Sequence, residues 1–378
     1  MTATPSRDTL ERESLVPSDL LLQRRHDRDE AVYRAWCEET HGMIALGEEQ
    51  FHPADILDKL APDAARRGRD DAISLAREDV EQSACERFPS LIAIPFHRFL
   101  EGPREPLTRL HRLRDTWESL VRFLAAMALA EAASVGVALA PLKLRESIDR
   151  GFRSCNKRDL HTDRLAVRIG LTEAFLLRTE ELEVSTALSK ILPVDVVAEM
   201  RRLNSIRNGF SHEATKSSKQ AEELIEEAYP SVRELLCDLR DLQDVTLFRV
   251  KSVKPTGAQP TAEIERLFGH SQSQRITDLP LDSSILPVVL GASRVGELDR
   301  VLARIGKAVL DLSPFVYAID DDSGHHTRLL EFKMRKDSKW HLECVGDSST
   351  HSFGDAPHDA LLCRFYCLLP ATSEEGAS

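Results

Sequence analysis

Residues 193–212 read PVDVVAEMRRLNSIRNGFSH. Val197, Met200, Leu203 and Ile206 recur at three- and four-residue steps, which draws one apolar stripe along a helix. Pro193 followed by Val194-Asp195 supplies a proline-acidic helix start. The stripe ends in a polar hexapeptide, Arg207-Asn208-Gly209-Phe210-Ser211-His212. A one-striped helix must bury that stripe against others, and the flanking sequence offers them. Residues 107–139 carry Leu110, Leu113, Trp117, Leu120, Leu124, Met127 and Leu129 at helical steps, the spine of a bundle. Further helical periods run over 141–152, 163–177 and 184–192. The last, over 219–242, carries Leu224, Ile225, Val232 and Leu235, with a kink expected at Pro230.

Upstream, residues 29–46 and 70–85 favour helix. Between them and the spine, Pro89, Pro95, Pro103 and Pro106 predict an extended connector over 88–106. Beyond residue 244 the period changes from 3.6 to 2. Leu330, Phe332 and Met334 alternate with charged residues, and after an Asp337-Ser338 turn Trp340, Leu342 and Cys344 do the same, which predicts a hairpin. Strands are also expected over 247–253, 309–319 and 361–369. The fold class is therefore a multidomain α+β protein, an all-α helical bundle followed by a β-rich C-terminal domain. The expected boundaries are a polar leader with helices over 1–88, the bundle over 89–245 and a linker over 246–260. The β-rich domain follows over 261–370, with a disordered tail over 371–378.

The hexapeptide carries the chemistry. An arginine offers a permanent, fork-shaped cation for phosphate oxygens, a histidine moves protons near neutral pH, and an asparagine can orient either. Spacing alone proves little. Arg34 with His41, Arg104 with His111 and Arg335 with His341 show a similar interval, about the number that chance gives. The context of Arg207 sets it apart: the chain has three asparagines, and Asn204 and Asn208 both fall in this stretch.

Arg207, Asn208 and His212 match as they stand the Arg-x(4 to 6)-His motif, often with Asn after the Arg, of the HEPN superfamily (higher eukaryotes and prokaryotes nucleotide-binding). The chain resembles that family over roughly 107–245. The resemblance implies an HEPN-like helical bundle with endoribonuclease activity, the motif helices of two chains meeting about a two-fold axis in one cleft. By the same resemblance such proteins serve as toxins or abortive-infection effectors against phage. Ala214 stands where one subgroup has tyrosine, so regulation through that tyrosine does not carry over. The family often has an acidic residue on a neighbouring helix that orients the histidine or pairs with the arginine. Glu118 is the candidate here.

On a straight helix, residues five apart sit about 140° around the axis, so Arg207 and His212 share no face without a break at Gly209 or convergence across two chains. Asn208, Gly209 and His212 are also common at helix ends, where they cap without any catalytic role. If catalytic, His212 would act as general base or acid in the attack of a ribose 2′-hydroxyl on the adjacent phosphorus. Arg207 would neutralise the growing phosphoryl charge and Asn208 orient the histidine or a phosphate. The products would be a 2′,3′-cyclic phosphate and a 5′-hydroxyl, with no cofactor and no metal. The rival readings are a noncatalytic scaffold that dimerises, and a nucleotide-sensing module using the same residues.

A formal net charge of −12 speaks against a nonspecific nucleic-acid coat, though an RNA substrate needs only a local basic patch. Arg150, Arg153, Lys157 and Arg158 form the candidate patch. The expected partners are RNA, a second copy of the chain, and a protein partner or trigger on the β-rich domain. No secretory signal opens the sequence, and no run approaches 18 uninterrupted apolar residues, so a cytoplasmic, membrane-free protein is expected. Seven cysteines, an odd and scattered set, predict no disulfide framework. His341-x-x-Cys344, His325-His326 and Cys363-x-x-x-Cys367 lack paired zinc knuckles. Walker, GxGxxG, GxSxG and HExxH motifs are absent.

Overall fold

A computed structural model describes residues 18–46, 49–139, 143–147, 151–154, 157–211, 217–254, 260–281, 285–291, 294–321, 327–347 and 349–369. At 143–147, 151–154, 158, 209–211 and 272 it describes the backbone alone. The chain is a mixed helix and sheet protein, helices first and a sheet-rich C-terminal region after them.

The spine is α5 (Pro106–Val135), which follows α1 (Ser18–His41), α2 (Pro53–Leu60), α3 (Pro62–Glu86) and α4 (Ser90–Glu101). Its start is dictated locally. The Glu105 carboxylate accepts hydrogen bonds from the amides of Leu107 and Thr108 at 3.1 and 2.6 Å, with Pro106 in the first turn. Gly136, at φ +70°, ends it in a left-handed cap that a side chain would strain. Every residue from Thr116 to Ala132 is buried, so this stretch of α5 is enclosed on all sides. The helices α6 (Lys157–Leu160), α7 (Leu165–Glu181), α8 (Ala187–Ile191), α9 (Val196–Ser211) and α10 (Ser218–Asp238) complete the helical region.

Among the described residues thirteen strands follow the same order along the chain, nine of them in one antiparallel sheet. The small pairs are β1 (Ile44–Leu46) with β2 (Glu49–Phe51), and β3 (Lys143–Ser147) with β4 (Gly151–Ser154). The large sheet contains β5 (Thr246–Lys254), β6 (Thr261–Phe268), β7 (Gln272–Pro280), β8 (Asp299–Ile305) and β9 (Ala308–Asp311). It continues with β10 (Val316–Asp320), β11 (Thr327–Lys336), β12 (Lys339–Cys344) and β13 (Thr350–Gly354). Its order is β13-β12-β11-β10-β8-β5-β6-β7, with β9 also paired to β8. Two short helices, α11 (Leu286–Gly291) and α12 (Asp355–Tyr366), accompany it.

The inner face of the sheet and the bundle share one apolar core. Leu120, Leu124, Phe175 and Val197 from the helices belong to the same buried cluster as Val301, Leu310, Phe315, Phe332 and Trp340 from the sheet region. The period-2 strands alternate accordingly: Leu247 faces this core, and Phe248 faces a second, smaller one on the outer face.

Several expectations are corrected. The expected extended connector over 88–106 is helical over most of its length, because α4 runs through Pro95, and only its ends beside Pro89 and at Gly102 and Glu105 are extended. An interior proline costs about 3 kcal/mol in a helix, whereas burying Leu91, Ile92, Phe96 and Phe99 contributes roughly 1.5–3 kcal/mol for each side chain, so burial wins. Of the helix expected over 141–152, the described residues 143–147 and 151–152 are strand instead: β3 pairs with β4, Arg145 opposite Phe152, since a segment of about twelve residues, interrupted by Ser147 and Gly151, is marginal as a helix unaided, which takes roughly 12–15 residues. The expected strand at 361–369 falls largely in α12, whose buried residues His358, Leu362 and Phe365 follow a helical period inside a run apolar enough to hide it. The expected strand at 309–319 is two, β9 and β10, split around Pro314, which has no amide to give a ladder. The first nine residues of the expected linker at 246–260 are β5.

Candidate functional site

Ion pairs from α1 and α7, and a hydrogen bond to α10, set the pose of the motif helix α9. The α1 guanidiniums reach its start and the neighbouring α10: Arg24 to Asp195 at 2.8 Å, Arg25 to Asp238 at 2.6 Å and to Glu199 at 3.3 Å. Arg201 on α9 meets Glu173 on α7 at 2.7 Å, both side chains nearly inaccessible. Arg202 bonds Glu199 at 2.9 Å and also donates to the Ser231 hydroxyl of α10. Buried pairs of this kind cost desolvation and add little net stability. They do penalise any other helix rotation, because that would leave a charge unpartnered.

That rotation sends Val196, Met200 and Leu203 inward, and Arg207, seven residues past Met200, continues their stripe. Its guanidinium therefore points at α5. Nε and Nη2 of Arg207 both lie 3.0 Å from Oε1 of Glu118, a side chain only 7% exposed. The other Glu118 oxygen, Oε2, accepts from Arg122 at 2.7 Å, and Nε of Arg114 lies 3.8 Å from Oε1. Asn208 is exposed, and its Oδ1 accepts from Nη1 of Arg207 at 3.3 Å.

The network continues to the sheet. Arg122, itself buried, also bonds Asp163 at 2.8 Å and lies 3.6 Å from Glu331 of β11, whose carboxylate accepts from the Ser119 hydroxyl at 2.9 Å. Lys333 pairs with Glu343 at 2.7 Å. Burial alone would push the Glu118 carboxyl upward, but Arg122, Lys333, Arg207 and Arg114 outweigh it and hold it at about 2. Glu331 goes the other way, raised by burial despite Arg122 and Lys333. A crevice of about 20 Å³ beside Ser119, Arg122 and Glu331 admits no more than a water-sized group. The Arg207 side chain, 30% exposed, meets the exposed Asn208 on its other side.

The chemistry follows from these charges. Arg207 is a fixed cation with two nitrogens pinned and a third turned toward Asn208, an arrangement that orients an anion without moving a proton. A carboxyl held at about 2 is a poor proton carrier near neutrality, so Glu118 positions Arg207 rather than exchanging protons itself.

The structure thus brings Arg207, Asn208 and Glu118 together. His212 lies outside the described residues, one position past the end of α9. Of the candidate RNA-binding patch, Arg150 also lies outside them. Arg153 stands on β4 and Arg158 on α6, with their side chains not described. Lys157 is exposed on α6, its ammonium 5.3 Å from the centre of the Tyr366 ring. Sequence reasoning missed Arg122, Asp163, Glu331 and Lys333. The signal for Arg122 was present: Arg114, Glu118 and Arg122 are spaced four apart on one helix, an i,i+4 charge ladder. Nothing local marks Asp163 or the β11 pair, which arrive through tertiary packing.

Among the described residues, no three His, Cys, Asp or Glu side chains gather as a metal site, and no helix is long and apolar enough to cross a membrane. Compared with protein families, with characterised proteins and with solved structures, the chain finds no match.

Proposed function

We propose that the protein is an endoribonuclease of the HEPN type, its helical region an HEPN-like bundle, which cleaves RNA by 2′-hydroxyl attack and leaves a 2′,3′-cyclic phosphate. The observation that carries this reading is the Glu118–Arg207 pair at 3.0 Å. A buried carboxylate aims the guanidinium of the Arg-Asn-x3-His motif, which is the part an acidic residue on a neighbouring helix plays in the family the sequence resembles. In this reading Arg207 neutralises charge on the phosphoryl oxygens, Asn208 holds a phosphate or the imidazole, and His212 moves the proton. Glu118 is a positioning residue.

In-line cleavage is best served by a base for the 2′-hydroxyl and an acid for the leaving 5′-oxygen. One chain offers one motif histidine, and a two-fold homodimer with both motifs on one cleft offers two. The proposed setting is a cytoplasmic toxin or anti-phage effector acting on RNA, with the sheet region receiving a protein partner or trigger. A second reading is a noncatalytic, dimerising scaffold or nucleotide sensor. It is favoured by the fact that Glu118 already occupies two of the three guanidinium nitrogens. Incubating the purified protein with labelled RNA in EDTA separates the two: cleavage that disappears in His212→Ala supports the nuclease, and binding without cleavage supports the sensor or scaffold.

A further inference from the structure

The outer face of the large sheet carries a second apolar core, built by Phe248, Ile264, Leu302 and Val309 from the strands and by Leu281, Ile285 and Val289, which come after β7 in the chain. That packing is incomplete. A cavity of about 360 Å³ remains, lined on its apolar side by Phe248, Ile264, Ile276, Leu279 and Ile285. This lies within the size range of pockets that hold small organic molecules.

The polar side is basic. Arg266 of β6, half-buried, and Arg304 of β8, exposed, both line it, with the exposed carboxylate of Asp244 opposing them. Several buried arginines elsewhere among the described residues are paired with acids. Arg122 meets Asp163 and Glu118, Arg201 meets Glu173, and Arg249, on the same strand as Phe248, meets Asp299 at 2.8 Å and Glu265 at 2.7 Å. The two guanidiniums of the cavity are different. Arg304 gives its Nε to the Gly306 carbonyl at 3.0 Å. Arg266 lies over the Phe268 ring at 5.4 Å, and its Nε is buried without a hydrogen-bond partner. Neither forms an ion pair among the described residues. A buried donor left unpaired beside an apolar cavity is what a bound acceptor would satisfy.

We infer that this cavity is a binding site for a small organic acid with an apolar body, the body seated on Phe248 and Ile264 and the acid group taken by Arg266 and Arg304. Charge-assisted, fork-shaped hydrogen bonds give arginine its preference for carboxylates and phosphates, and the apolar wall rejects small hydrophilic anions by failing to solvate them. The inference does not depend on the ribonuclease reading, since the cavity shares no residue with the Arg207 site.

Binding is tested on the full chain with 1-anilinonaphthalene-8-sulfonate, an apolar anion whose fluorescence rises on burial, displaced by decanoate or by decanol. The expected result is saturable binding at one site per chain, with decanoate at least about tenfold more effective than decanol, the effect of losing a charge-assisted hydrogen bond. The double variant Arg266→Gln, Arg304→Gln should weaken both anions by about tenfold or more while leaving decanol unchanged. Leu279→Trp, which fills the cavity from a half-buried position, should remove binding of all three. Thermal melts of each variant establish that it is folded, and either variant alone decides the question if the other fails to fold. No saturable binding, equal displacement by decanol, or unchanged anion affinity in a folded variant would overturn the inference. RNA cleavage is read separately, so the failure of one proposal leaves the other standing.

Discussion

Replacing Glu118 by glutamine removes one charge and no volume, and its cost can be worked out. The carboxyl is held at about 2, against 4.5 for an unperturbed glutamate. At about 1.4 kcal/mol per pH unit, that difference is worth roughly 3 kcal/mol of folded-state stability at pH 7. Because the folded-state value is depressed, the contribution is fully present above about pH 4.5 and is lost as pH falls toward 2. Near pH 3 roughly 1.4 kcal/mol should remain. The variant also leaves Arg122 buried with one acid fewer, and breaking one partner of a buried pair costs about 3–5 kcal/mol. Glu118→Gln should therefore lower the unfolding free energy at pH 7 by about 3–5 kcal/mol, and the gap to the wild type should narrow by about 2 kcal/mol at pH 3. Urea titrations followed by circular dichroism at the two pH values measure both quantities. A variant within about 0.5 kcal/mol of wild type at pH 7, or a gap that does not narrow in acid, refutes the claim that Glu118 anchors the network.

Other outcomes follow from the same contacts. Arg207→Lys should abolish cleavage in a gel assay, because an ammonium keeps the charge but cannot hold Glu118 and present a second nitrogen to Asn208 together. Arg335→Ala and His341→Ala, which sit on β11 and β12 with Arg335 paired to Asp355 and Asp359, should leave cleavage unaltered. Glu173→Gln should destabilise the fold by about 3–5 kcal/mol in urea titration, since it strands Arg201 in the core. Gly269→Ala should destabilise as well. Its φ is +61°, and a new Cβ would meet the Glu86 carbonyl oxygen at 2.6 Å, opening the seam where the β6–β7 turn docks on the helices. If the active form is a two-fold dimer, adding His212→Ala chains to wild type should depress activity by more than dilution does.

Long, strongly periodic elements were legible in the sequence. The α5 spine, the apolar stripe of α9 and the β11–β12 hairpin all appear where the periods place them. What misled was local chemistry overruled by packing. Pro95 reads as a breaker, and only the burial of Phe96 and Phe99 against the rest of the core keeps α4 helical. The runs around Leu144 and Leu362 are too short or too uniformly apolar for period alone to separate strand from helix. The edge strands β7 and β13 went unread because they carry polar residues on most positions, and the interior strands β6 and β8 went unread although Ala262, Ile264 and Leu267, and Val301, Leu302 and Ala303, are buried in them. At the site, the partnership of Glu118 with Arg207 could be proposed from one motif and one helix. Glu331 and Lys333 join only because the sheet packs on α5, which no local pattern encodes.

The most direct test of the central claim is the product of RNA cleavage. Uniformly labelled RNA incubated with wild-type protein in EDTA, then with His212→Ala, should give fragments ending in a 2′,3′-cyclic phosphate in the first case and intact RNA in the second, with both proteins showing the same melting temperature. Intact RNA with the wild type, or the same fragments from His212→Ala, would contradict the account.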